Sequence, residues 1–221
     1  MTNDLVKQFQ RGDHDEAIHR AVQAIDDHPH DPKNYATLAM MLISISADDE
    51  ARELLVQALG LFPNDPELLY DFGVLAYTQG NDQLALSYFQ QVTGAKGTLG
   101  EDAQYMTALA YQRAGQPAKA LAFALTAHEA APHKVDAALL CAQLMLAVGA
   151  FTQADEVLAP LLARKNARVL FTYGMSQAAQ GMDGSQWLDE AKQLDPAGYD
   201  QDAGHVRDIA GFLKAQGDSD D

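Results

Sequence analysis

Alanine recurs along this chain at a nearly fixed interval: Ala17, Ala51, Ala85, Ala120 and Ala154 are spaced 34, 34, 35 and 34 residues apart. Each stands at or near the start of an apolar helical pattern: AIHRAVQAI, ARELLVQAL, ALSYFQQV, ALAFALTAH and ADEVLAPLL. Five residues earlier comes a small turn residue, namely Gly12, Ser46, Gly80, Gly115 and Gly149. Seven before that, a second small residue recurs at Ala39, Gly73, Ala108 and Ala142. Proline closes units at Pro29, Pro63 and Pro132. Ladders that keep one phase over five units mark a repeated supersecondary unit, which buries its apolar face only by stacking on its neighbours.

Each ladder has a physical reason. Small residues at the paired Ala and Gly sites let two helices approach closely, where a large side chain would hold the backbones apart. The glycine suits a helix C-terminus, where positive φ is needed. The proline cannot continue a helix and stops the second one. Between these signals, apolar residues fall at i, i+3 and i+4, as in Tyr35, Leu38, Ala39 and Leu42. Sustained two-residue alternation is missing, so strands are not expected. Each unit is predicted to be two helices joined by a tight turn.

A 34-residue helix–turn–helix unit with these small-residue sites resembles the tetratricopeptide repeat. The best copy lies between Pro66 and Leu99, in LLYDFGVLAYTQGNDQLALSYFQQV, and keeps Leu69, Phe72, Gly73, Ala76, Gly80, Ala85, Phe89 and Val92 at the family's spacing. The copy from Pro32 to Asp65 keeps Tyr35, Leu38, Ala39, Leu42, Ala51, Leu55, Ala58 and Pro63. The resemblance implies an all-α, right-handed α-solenoid of about six hairpins over residues 1–198. The repeats fall near 1–31, 32–65, 66–99, 101–134, 135–167 and 168–198. A capping helix is expected over 199–216, with Val206, Ile209, Phe212 and Leu213 on one face to cover the last exposed core. The acidic tail 217–221 is expected to be disordered.

Departures from the pattern carry expectations of their own. The first repeat reads as clipped at its first helix. The third has an enlarged exit, GAKGTLG at 94–100, with three glycines in seven residues. A flexible joint is expected there, dividing repeats one to three from four to six. Pro160 falls inside the second helix of repeat five and should kink or end it. The sixth repeat is shortened, as the 32-residue spacing from Ala142 to Gly174 shows.

Charge narrows the partners. Fifteen Lys and Arg face 31 Asp and Glu, a formal net charge of −16. Nucleic acids are polyanions that need clustered Lys and Arg, so they are not expected as partners, and neither is an anionic membrane surface. No Lys or Arg lies between Arg52 and Lys96, where Glu53, Asp65, Glu67, Asp71 and Asp82 do. That fits a basic partner, or plain solubility. No run approaches 18 apolar residues, so no membrane span is expected. The single cysteine, Cys141, allows no internal disulfide. Together these suggest a soluble, cytoplasmic protein.

Catalysis, metals and cofactors are not expected. GAKGTLG lacks the Gly-Lys-Ser/Thr order and the preceding strand of a phosphate loop. The N-terminal histidines His14, His19, His28 and His30 lack the spacing that stacks two ligands on one helical face. No GxSxG occurs. Cys141, within AALLCAQLML, reads as a small buried hydrophobe. Trp187 reads as packing the last repeat against its cap.

The resemblance implies a concave groove, lined by the first helix of each pair, that binds peptides or helices of a partner. Inward positions are then Met40 and Ile43 in repeat two, and Tyr70, Asp71, Val74 and Tyr77 in repeat three. Repeat four offers Tyr105, Met106, Leu109 and Gln112; repeat five Leu139, Leu140 and Gln143; repeat six Phe171, Thr172 and Met175. Their competing role is packing between adjacent first helices. Tyr70, Tyr77, Tyr105 and Phe171 would be anchors. Val74, Leu109 and Met175 would shape the trough, and Asp71, Gln112 and Gln143 would bond the peptide backbone. Chaperone-binding members of the family grip a carboxylate with Asn, Lys and Arg; these positions carry other residues, so that clamp is not expected. Glu67, Asp102 and Asp136 open three successive first helices and would form an acidic rim. The function implied is a non-catalytic protein-interaction adaptor. The alternative is a self-associating scaffold or regulatory subunit, as a homodimer.

Overall fold

A computed structural model describes residues 2–204. The expectations for 205–221, most of the capping helix and the acidic tail, lie outside the described residues. Within them every regular element is helical. The order is α1 (Thr2–Gln10), α2 (His14–Asp27), α3 (Pro32–Ser44), α4 (Asp48–Leu61), α5 (Pro66–Thr78), α6 (Asp82–Val92), α7 (Thr98–Arg113) and α8 (Pro117–Ala130). Then come α9 (Val135–Ala147), α10 (Phe151–Leu158), a 3₁₀ segment (Ala159–Arg164), α11 (Ala167–Ala179) and α12 (Ser185–Leu194). Residues 196–204 are helical as well.

Helix starts follow from side-chain capping. Asp65 accepts from the backbone N–H groups of Glu67 and Leu68 at 3.1 Å each, and Pro66 occupies the first helical position, where a missing N–H costs nothing. Asp31 and Pro32 open α3 in the same way. Asn81 caps α6 and Asn166 caps α11 through the backbone N–H of Leu84 and of Val169.

Helix ends follow from one recurring turn. Asn81 N–H donates to the Ala76 carbonyl and Gly80 N–H to the Tyr77 carbonyl, both at 2.9 Å, which is the Schellman pattern. Its left-handed residue is Gly80, at φ +77°. The five-residue bond recurs from Ala47 to Leu42, Gln116 to Tyr111, Ala150 to Met145 and Met182 to Gln177. Ser46 holds the left-handed position in the first of these at φ +60°, the one case without glycine.

The alanine ladder is the helix contact. Ala17, Ala39, Ala51, Ala85, Ala108, Ala120, Ala142 and Ala154 are all 0% exposed. The chain divides after Ala127 into two compact units. In the first, Leu5, Phe9, Ala17, Ala21, Leu38 and Met41 form one buried cluster, and Tyr35, Ala39, Ala51, Leu55, Ala58, Leu68 and Leu75 the next. Further on, Ala76, Ala85 and Phe89 pack together, as do Leu69, Val92 and Ala103. The second unit holds Leu170, Phe171 and Ala191 in a cluster that Trp187, Leu188 and Tyr199 cover. Cys141 is buried there, and burial pushes its thiol pKa up to about 11.

Two departures resolve differently. Pro160 acts as its missing N–H requires: α10 stops at Leu158 and the chain tightens into 3₁₀ geometry. The glycine-rich segment 94–100 does not mark the division between units, which falls after Ala127. Gly100 is buried against the preceding loop, where a β-carbon would stand 1.9 Å from the Ala95 carbonyl oxygen. The glycine serves close packing at that position.

Candidate functional site

An open cleft of about 280 Å³ crosses the first helices of three successive hairpins in the first unit. Ala36, Thr37 and Met40 come from α3, Glu67, Tyr70 and Asp71 from α5, and Leu99 and Asp102 from α7. The periodicity explains the grouping. Residues 36, 37 and 40 share one helical face, as do 67, 70 and 71. Its lining mixes apolar Ala36, Met40 and Leu99 with three carboxylates and a phenol, and no Lys or Arg is among the described residues that line it. The Thr37 hydroxyl donates to the Lys33 carbonyl at 2.7 Å.

Asp71 differs from the other two carboxylates. Glu67 is exposed and Asp102 half-buried, whereas Asp71 is 9% exposed. The Asp71 carboxylate makes no hydrogen bond among the described residues. Burial, then the charges of Glu67 and Asp65, holds its pKa well above the usual carboxylate range. The phenol of Tyr70 is likewise raised, first by burial, then by Asp102 and Asp71. The Tyr70 ring leans on Phe89 at a centroid distance of 5.8 Å.

Of the groove residues read from the sequence, the cleft gathers Met40, Tyr70 and Asp71, and of the rim residues Glu67 and Asp102. Val74, Tyr77 and Met106 instead pack on the Ala76–Ala85–Phe89 cluster. Tyr77 is also covered: the Arg113 guanidinium sits 3.7 Å from its ring centroid. Tyr105 and Leu109 are half-buried and Gln112 is exposed, all outside the cleft lining. In the second unit, Leu139, Leu140 and Thr172 are buried, Gln143 and Met175 half-buried, and Asp136 exposed. Phe171 is 7% exposed because Tyr199 packs edge-on against it at 5.3 Å, so it presents no open anchor. Trp187 packs edge-on to Tyr173 at 5.5 Å.

Ala36, Thr37 and Leu99 line the cleft without having been singled out from the sequence. Ala36 and Thr37 stand four and three residues before Met40, a spacing that carries the signal. Leu99 had none, because its place depends on how the 94–100 loop packs. Among the described residues no three His, Cys, Asp or Glu converge to hold a metal ion.

Helical hairpins closed by a recurring turn, with alanine or glycine where their helices meet, define an α-helical repeat protein. Residues 49–99 match the family model of the tetratricopeptide repeat, the unit that the repeated hairpins resemble. No curated protein matches the chain in sequence. Solved structures share the fold. One, from a functional characterisation of PilF of Pseudomonas aeruginosa, has a TM-score of 0.76 and 18% identity, covering 92% of this chain and 95% of that one. PilW, described as a widely conserved type IV pilus biogenesis factor, gives 0.74 and 18%, covering 89% and 92%. YrrB, described as a tetratricopeptide-repeat protein with an unusual peptide-binding site, gives 0.64 and 20%, covering 80% and 93%. No helix among the described residues is long and apolar enough to cross a membrane.

Proposed function

We propose that this chain is a non-catalytic adaptor that holds a segment of a basic partner protein against the α3–α5–α7 face. The observation that carries the reading is the cleft itself. It combines Met40, Leu99 and Tyr70, residues suited to burying a partner's side chains, with the carboxylates of Glu67, Asp71 and Asp102. Repeats of this family mediate protein–protein interaction, and YrrB's description names a peptide-binding site on the same fold. Within this reading the protein works in a reducing compartment, the cytoplasm, which its lone, buried Cys141 suits.

The test is affinity capture from native cell extract, wild type beside a Met40→Ala/Tyr70→Ala variant of unchanged helicity. A partner enriched by wild type and lost with the variant is the expected result, with salt weakening the capture as for opposite charges. Equal capture by both forms would overturn the cleft as the binding face. A wild-type chain that retains only copies of itself would turn the reading to a self-associating scaffold.

A further inference from the structure

We infer that Asp71 is the floor of a subsite for one cationic side chain, the ammonium of a lysine or the guanidinium of an arginine in the bound segment. The inference rests on the reading of this face as a peptide-binding surface. It adds which side chain the face selects, and which group reads it.

The starting point is an energetic anomaly. A carboxyl group taken out of water is stabilised by hydrogen bonds or an opposite charge, and a buried one with neither is costly. Asp71 is about nine-tenths buried, its carboxylate has no hydrogen-bond partner among the described residues, and the charges acting on it, Glu67 and Asp65, repel a negative charge. Its side chain lines the cleft. A cation entering there would meet Asp71 at the floor, with Glu67 and Asp102 also lining the cleft. It would supply the opposite charge that no described residue gives Asp71.

The shape selects the kind of cation. Small-molecule sites run from about 300 to 1,000 Å³, so a cleft of about 280 Å³ is at the lower limit and suits a single long side chain. Ala36, Met40 and Leu99 supply apolar wall. Lysine and arginine carry a charged head on an aliphatic stem that packs along such walls. A bare metal ion has no use for the walls, and its ligands must converge, which no group of three acidic, His or Cys residues does among the described residues.

The probes are four pools of synthetic heptapeptides, degenerate at the flanking positions and fixed at the centre as Lys, Arg, norleucine or Glu. Norleucine keeps the length of lysine and removes its charge. Binding to the full chain is followed by the amide resonances of α3, α5 and α7. The Lys and Arg pools should shift these amides and bind at least about tenfold tighter than norleucine, the gain of a charge-assisted contact. Asp71→Asn, near in shape and relieved of repulsion, should bring that ratio to within about twofold while norleucine affinity holds. Glu67→Gln, on an exposed group, should reduce the ratio partially. Equal binding of Lys and norleucine to the wild type would overturn the subsite while leaving the peptide face standing. A ratio unchanged in Asp71→Asn would also overturn it. Should no pool perturb these three helices, the subsite and the peptide face fall together.

Discussion

The Phe89 ring lies against the backbone of Gly73: a β-carbon at Gly73 would stand 2.5 Å from Cε1 and 2.6 Å from Cδ1 of the ring. Phe89 is fully buried, with Tyr70 packed on its other contacts, so it has little room to yield. Gly73→Ala is therefore expected to destabilise the chain by about 1–3 kcal/mol, the range for overpacking. Urea denaturation measures this. Phe89→Leu in the Gly73→Ala background should recover part of the loss, because the smaller side chain vacates the contested space. An additive double mutant would show that the two positions do not compete.

Ser46 occupies the left-handed position that glycine holds in the other Schellman turns, at φ +60°. A non-glycine residue there is strained by its own β-carbon. Ser46→Gly should stabilise the chain by about 1 kcal/mol, and Gly80→Ala, at φ +77° with open space around it, should cost a similar amount. Opposite shifts in melting temperature check the pair.

Asp71 makes stability depend on pH. Its native pKa is raised by burial and by Glu67 and Asp65, so the folded state keeps the proton to higher pH than the unfolded chain does. The stability linked to this group is complete below the ordinary carboxylate range and is lost as pH rises through the raised native value. Asp71→Asn removes that loss. Its advantage over wild type in urea midpoint should widen as pH rises above the ordinary carboxylate range. A difference that stays constant as pH rises would show that Asp71 has no raised native pKa.

Arg113 ties α5 and α7 together. Its guanidinium stacks on the Tyr77 ring, its Nη2 donates to the Tyr77 carbonyl at 2.6 Å, and its Nε donates to Asp82 at 2.6 Å. The side chain is about a third exposed, which screens the ion pair. Arg113→Ala should cost about 1–2 kcal/mol. Arg113→Lys should keep less than half of that, because lysine keeps the charge and loses the planar stack and the forked donors. Thermal unfolding of both variants gives the comparison.

The repeat and its turns were legible in the sequence because they are set by local chemistry repeated in each unit. Gly80 and Ala85 act on their own hairpin, and the same residue types recur 35 positions on at Gly115 and Ala120. Only the tertiary structure decided which first-helix side chains remain open. Tyr70 and Tyr77 stand two turns apart on α5 and read alike. Yet Tyr70 lines a cleft, while Tyr77 lies under Arg113, 36 residues away in sequence. Phe171 looked like an anchor until Tyr199 covered it. The 94–100 loop read as a joint, but it brings Leu99 into the cleft wall and packs Gly100 onto Ala95. Asp71 read as an inward residue that would bond a peptide backbone, and its burial depends on what α3 and α7 set beside α5. Helical periodicity fixes the face of a helix on which a residue lies. What stands opposite that face depends on contacts between residues far apart in the chain, which no single repeat contains.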